Sequence, residues 1–223
     1  MTVKYMPLVG VLFVSMLTWS QPSFAEGPAS IQLPNPQREG GKPLMSALNE
    51  RMSGRSFSNE KLSMQTLSNL LWAAFGINRP DGRRTAPSAK NSQEIEIYVT
   101  TADGAYLYDA KMNALNPILT KDIRAVTGTD PYVKDAAVNL VYVSDSSRVG
   151  SEGGAEGNLP GMQLLSGADT GVIAENVYLF CASEGLATVV RAGIDREALA
   201  KELKLRPQQK ITFAQSVGYP KKQ

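Results

Sequence analysis

Apolar residues recur at helical spacing after Ser63. Leu67, Leu70, Leu71 and Ala74 fall on one face, so a helix is expected there, with Ser63 as its N-cap and Gly76 as its stop. A shorter helix is expected over Leu44 to Arg51. Farther along, Glu94-Ile95-Glu96-Ile97-Tyr98-Val99 alternates polar and apolar positions, the mark of a half-buried strand. Asp103-Gly104 offers the turn to a hairpin partner at Ala105 to Tyr108. A helix is expected from about Lys121 to Val126, and an apolar strand over Ala137 to Val143. Ile173, Val177, Phe180 and Cys181 share one face of a strong helix over Asp169 to Glu184, ended by Gly185. Thr188 to Arg191 reads as a short strand, Asp195 caps a helix carrying Leu199 and Leu203, and Ile211 to Val217 is the last strand. Helices and strands mix without regular βα alternation, which predicts an α+β layer fold.

Two stretches break this patterning. Residues 26–42 are punctuated by Pro28, Pro34, Pro36, Gly40 and Gly41 and predict an extended N-terminal segment. Residues 147–168 hold Gly150, Gly153, Gly154, Gly157, Gly161 and Gly167. That density argues against any regular element and suits either a flap over a ligand or a plain surface loop. No internal repeat and no second domain boundary are visible.

The first 25 residues stand apart. Lys4 precedes an apolar run from Leu8 to Trp19, and Ser23-Phe24-Ala25 puts small residues where a leader is cut. The run is shorter than the roughly 20 residues a bilayer demands. A secretory signal peptide over residues 1–25, cleaved after Ala25, is therefore expected, with export to the periplasm. With no Cys directly after the run and no Arg pair before it, neither a lipid anchor nor the twin-arginine route is expected. Cleavage leaves 198 of the 223 residues, enough for one domain with a substantial core. The formal charge is +2, or +1 without Lys4, so neither a nucleic acid nor an acidic membrane partner is implied.

The chain contains no His and one Cys. Ser-His-Asp and Cys-His catalysis and the usual zinc ligands are thereby excluded, and no metal site is expected. Cys181 lies in an apolar stretch and reads as a buried core residue. An enzyme built from this chain needs a cofactor to carry its chemistry.

Three segments carry candidate chemistry. Arg51-Met52-Ser53-Gly54-Arg55 offers two guanidinium forks and a hydroxyl at alternate positions, suited to one phosphate. Read alone, it is more often a solvated basic helix end. Pro87-Ser88-Ala89-Lys90-Asn91-Ser92-Gln93 is a polar turn behind a proline, and Ser88, Asn91 and Gln93 can present donors and acceptors to one side. Gly185-Leu186-Ala187-Thr188-Val189-Val190-Arg191-Ala192-Gly193 runs from a helix end through a strand into a loop. Gly218-Tyr219-Pro220-Lys221-Lys222 follows the last strand, where a lysine can return to a phosphate or belong to a solvated tail. Arg83 and Arg84 are either surface charges or part of a cofactor entrance.

Together and in this order, these segments resemble the FMN-dependent nitroreductase family, over about residues 44–220. The resemblance implies an α+β fold with a mainly antiparallel sheet flanked by helices, formed by residues 43–223, in an obligate homodimer with FMN at the interface. It implies that Arg51, Met52, Ser53 and Arg55 meet the FMN phosphate and ribityl chain, Met52 standing where the family often has a basic residue. Pro87, Ser88, Asn91 and Gln93 would meet the ring edge, the amides of Ala192 and Gly193 would lie near flavin N5 and O4, and Lys221 (or Lys222) would return to the phosphate. Glu94-Ile95 replaces the family's Pro-Trp, which is similar to the branch of azoline-oxidising, SagB-type dehydrogenases. The implied activity is hydride transfer at flavin N5 in a ping-pong cycle, with NAD(P)H or another small molecule as donor and a second as acceptor. No side chain is assigned as catalytic; Tyr98, Tyr108 and Tyr219 are the candidate proton donors. Export away from nicotinamide supplies the alternative, an exported flavin- or ligand-binding module without turnover. A structural domain without flavin is the third reading.

Overall fold

A computed structural model describes residues 1–2, 29–149 and 159–222. Residues 3–25 of the expected leader, its cleavage point, and residues 150–158 of the glycine-rich stretch fall outside the described residues. In chain order the elements are β1 (Ile31–Gln32), α1 (Leu44–Glu50), α2 (Met64–Phe75), β2 (Ile95–Thr101), β3 (Gly104–Asp109), β4 (Ala114–Leu119), β5 (Val138–Asp145), α3 (Leu159–Glu184), β6 (Ala187–Arg191), α4 (Arg196–Glu202) and β7 (Gln209–Gly218).

The strands form one sheet in the order β1-β4-β3-β2-β5-β7-β6, every neighbouring pair antiparallel. Alternation along the central strand β5 divides the core. Leu140 and Tyr142 face α2 and α3, where Leu70, Leu71, Phe75, Ile173, Val177 and Cys181 pack. Val141 and Val143 face the other way, onto Leu199 and Leu203 of α4 and its C-terminus. Helices thus cover both sides of the sheet. Cys181 is a buried core residue, and burial pushes its thiol well above the ordinary range.

The helix ends follow their sequence signals. Ser63 Oγ accepts from the Thr66 amide at 3.0 Å, and Asp195 Oδ1 accepts from the Ala198 amide at 3.0 Å. Gly185 adopts φ +70 and lets Leu186 N bond back to Cys181 O at 2.9 Å.

Four expectations are corrected. β2 is buried on both faces, Ile95 through Thr100, because it lies at the centre of the sheet. Its Glu96 is accommodated by ion pairing to Arg148 and a bond from Gln209. The helix expected over Lys121 to Val126 is a single 3-10 turn at Arg124–Thr127. β4 was not anticipated, since Pro117 sits inside it. Proline is tolerated there because β1 pairs with β4 only at Ala114 and Leu115, leaving Pro117 on an edge. Finally, α3 begins at Leu159, so Gly161 and Gly167 are helical and the irregular stretch does not reach Ala168.

Among the described residues, the segment before α1 is pinned to the body. Leu33 is buried, the Arg38 guanidinium lies 5.5 Å from the Trp72 ring, and Lys42 Nζ bonds Glu50 and the Ala182 carbonyl.

Candidate functional site

Helix α1 stops at Glu50, and Arg51 turns out of it with φ −56 and ψ 122. The chain then runs extended past the start of β6, with Gly54 N donating to Thr188 O at 2.9 Å. Glycine is needed at this crossing, because a Cβ on Gly54 would lie 2.9 Å from that of Ala187. Tyr178 of α3 reaches this strip. Its hydroxyl lies 2.9 Å from Ser53 Oγ and accepts from the Val190 amide at 3.0 Å, while the Arg51 guanidinium sits 5.2 Å from its ring centre. One side chain therefore fixes Arg51, Ser53 and β6 relative to one another.

The C-terminal segment lies along the same strip. Phe57 and Pro220 form an antiparallel bridge, Ser58 N donates to Tyr219 O at 2.9 Å, and Lys221 N donates to Ser56 O at 3.3 Å. Arg55 and Lys221 are both exposed, and Arg55 bonds the Tyr132 hydroxyl. Among the described residues, none of Arg51, Arg55 and Lys221 forms an ion pair. Met52 is 71% exposed and adds no polar group.

The second segment is a strained turn. Lys90, Asn91 and Gln93 all have positive φ (52, 56 and 49), each costing on the order of 1–3 kcal/mol. Local bonds offset that cost. Ser88 Oγ accepts from Gln93 N at 2.9 Å, and the Gln93 side chain accepts from Arg84 Nε at 2.8 Å and donates to Gly82 O and Asn91 Oδ1. Arg84 itself stacks 4.4 Å from the Phe75 ring centre, an interior strut, whereas Arg83 pairs with Asp81 at the surface. Pro87, Lys90 and Asn91 face outward, while Ser88 and Gln93 are largely committed to holding the turn.

Asp169 ties the turn to α3, accepting from Ala89 N at 2.9 Å. Its carboxyl shares a bond with buried Glu94, the residue standing where the family pattern has proline. Burial pushes the Asp169 pKa up to about 6, the Ala89 amide opposes this, and the neighbouring Glu94 charge adds to it. The two segments thus attach to α3 at Asp169 and Tyr178, nine residues or roughly 13 Å apart along the axis.

Beyond β6, Ala192 and Gly193 are exposed, their carbonyls accepting from Arg196 Nη1 at 3.3 Å and Thr129 N at 3.0 Å. Val189 is buried, whereas half-buried Val190 lines a cavity of about 260 Å³ with Tyr178, Glu175, Gly171 and Phe213. This cavity shares Gly167 and Phe213 with a groove of about 620 Å³ that reaches Met162, Ile211 and Arg196. Two guanidiniums and an ammonium without acidic partners among the described residues, next to a hydroxyl and a mainly apolar slot, are a donor set that fits the phosphate and the planar body of FMN.

The candidate proton donors are placed otherwise. Tyr98 is buried and accepts from Gln209 Nε2 at 3.1 Å. Tyr108 is buried, with its pKa raised by burial to about 12. Tyr219 is half-buried against the main core. Sequence reasoning missed Tyr178 and Asp169 as parts of the site. Both lie on a helix recognised from its apolar face, and nothing in helical periodicity marks which polar neighbours reach across to distant segments.

Comparison with known proteins gives the family of the chain. The sequence model of the nitroreductase family matches residues 48–219. A crystal structure described as a nitroreductase from Ralstonia eutropha JMP134 is similar over 99% of this chain and 100% of that one, with 34% identity and a TM-score of 0.80. A curated protein named as a nitroreductase from Methanocaldococcus jannaschii is 29% identical over 165 residues, covering 69% of this chain and 81% of its own. The NADPH:FMN oxidoreductase of Vibrio harveyi, solved with NAD+, shares the fold at 19% identity and a TM-score of 0.58, over 80% of this chain and 69% of that one. The chain belongs to the nitroreductase family, whose members are generally FMN-dependent oxidoreductases acting on small-molecule electron donors and acceptors.

Proposed function

We propose that this chain is an exported, homodimeric FMN-dependent oxidoreductase. The observation that carries the reading is the extended strip in which Arg51, Ser53, Arg55 and Lys221 stand together without acidic partners among the described residues. Arg51, Arg55 and Lys221 would hold the phosphate, with Ser53 oriented by Tyr178. Asn91, on the strained turn with Pro87, Ser88 and Gln93, would meet the ring edge, and the exposed Ala192 and Gly193 would offer backbone amides to it. When bound, FMN supplies a two-electron carrier that one small molecule reduces and a second reoxidises, a ping-pong cycle. The chain's own part is to bind, to orient and to exclude water. The strain in the turn is held in advance of binding, and the slot beside Tyr178 and Val190 is walled by Phe213 and the α3 backbone. NAD(P)H or another small molecule would be the donor, the latter favoured by export. Glu94, buried and bonded to Asp169 in place of the family's proline, supports placement in the azoline-oxidising, SagB-type branch.

Dimerisation is supported by apolar side chains left in solvent on α1 and α3: Leu44, Met45, Leu48, Leu164, Leu165 and Val172 are each 40% exposed or more. The test of turnover is anaerobic. Protein loaded with FMN is reduced by dithionite and mixed with a quinone or a nitroaromatic, and the flavin band is followed. Reoxidation much faster than that of free reduced FMN is expected. Bound flavin that stays reduced with every acceptor would instead establish the flavin-binding module without turnover, the reading favoured by the internal commitment of Ser88 and Gln93.

A further inference from the structure

Arg191 is a buried cation without a counter-ion among the described residues. It is 7% exposed, yet its guanidinium contacts only neutral groups: the Thr127 carbonyl, Thr127 Oγ1 at 3.0 Å, Asn139 Oδ1 at 2.9 Å and Ser216 Oγ at 3.3 Å. Three separate segments of the chain supply these acceptors. Gly128 is kept bare for the same purpose, since a Cβ there would run into the guanidinium. The titratable and charged groups facing it are Asp130, the neutral Tyr132 phenol and, through Tyr132, Arg55, and none forms an ion pair with it. A charge held this way is expensive to bury and is normally neutralised or paired. Burial does pull its pKa down, to about 10, but it stays protonated at neutral pH. The backbone next to it is Ala192-Gly193, and Thr129 of the same cradle bonds Gly193 O.

Resting on the FMN reading above, we propose that Arg191 is an electrostatic positioning residue that favours the reduced, anionic flavin at the Ala192–Gly193 loop. Reduction by two electrons with uptake of one proton adds one negative charge to the ring. A fixed positive charge behind the loop, out of water and little screened, makes that state more favourable than the oxidised one.

The test is the two-electron midpoint potential of the FMN-loaded protein, measured by dye equilibration. In the wild type the bound couple is expected positive of free FMN in the same buffer. Arg191→Gln, which removes the charge and keeps an amide donor about where Arg191 Nε meets Ser216 Oγ, is expected to lower the reduced-over-oxidised preference on the order of tenfold, a shift of about 30 mV to more negative potential. Arg191→Lys, which keeps the charge, is expected to stay near the wild type, and both variants should retain oxidised FMN. A bound wild-type potential negative of free FMN overturns the proposal whether or not the variants fold. So does a folded, flavin-bound Arg191→Gln with an unchanged potential. A folded wild type that retains no flavin would refute the cofactor reading itself, a distinct failure.

Discussion

Tyr178 Oη receives the Val190 amide and meets Ser53 Oγ, so a single hydroxyl joins α3, β6 and the arginine strip. Tyr178→Phe keeps the ring under Arg51 but strands a partly buried amide, and it should lower stability by about 1–2 kcal/mol in urea unfolding. FMN affinity should fall with it, because Ser53 loses its orientation. Arg51→Ala with Arg55→Ala should abolish flavin retention and leave circular dichroism unchanged, since neither side chain forms an ion pair among the described residues. Asp169 gives a pH signature. Its folded pKa is raised to about 6 from an ordinary 3.8, so its contribution to stability is complete only below about pH 4 and is lost as pH rises through 6. Asp169→Asn can still accept from Ala89 N without carrying charge. The wild-type melting temperature should drop relative to that variant between about pH 4 and 7, and parallel pH profiles would contradict the assignment. The arginine–serine strip was legible in sequence because its residue types alternate on an extended segment. Arg191 was not, because a strand arginine ordinarily reads as surface, and only the three-dimensional sheet brings Asn139 and Ser216 beneath it.

At the level of elements, legibility followed the strength of local signals. Ser63, Asp195 and Gly185 each terminate a helix by a mechanism written in one residue, and all three were readable. Gly185→Ala should cost about 1 kcal/mol, from φ +70 alone, since no atom lies within 4 Å of the added methyl. The first ten residues of α3 were not readable. Two glycines disfavour helix there, and the compensation is tertiary: Ser166 Oγ lies 2.8 Å from Ser144 Oγ, and Thr170 Oγ1 lies 2.9 Å from Thr212 Oγ1, anchoring the helix to β5 and β7. β4 escaped notice for a related reason. Pro117 rules against a strand locally, and only its edge position in the finished sheet permits it. The polar positions of β2 misled in the opposite sense, since the partners of Glu96, Arg148 and Gln209, come from distant segments that bury it.

On the scale of the whole molecule, α3 is the spine of the candidate site. It carries Asp169 under the strained turn and Tyr178 under the arginine strip, and it leaves Leu164, Leu165 and Val172 in solvent. Covering those side chains with a second copy would bring a second pair of motifs to the same region. Light scattering should therefore give twice the chain mass, and Leu164→Glu with Leu165→Glu should shift it toward the monomer and weaken FMN binding together. The most direct measurement is the visible absorbance of the purified protein after incubation with FMN and desalting. About one flavin per chain is the expected result. A folded, dimeric protein that emerges colourless would contradict the cofactor site assembled from Arg51, Ser53, Arg55 and Lys221.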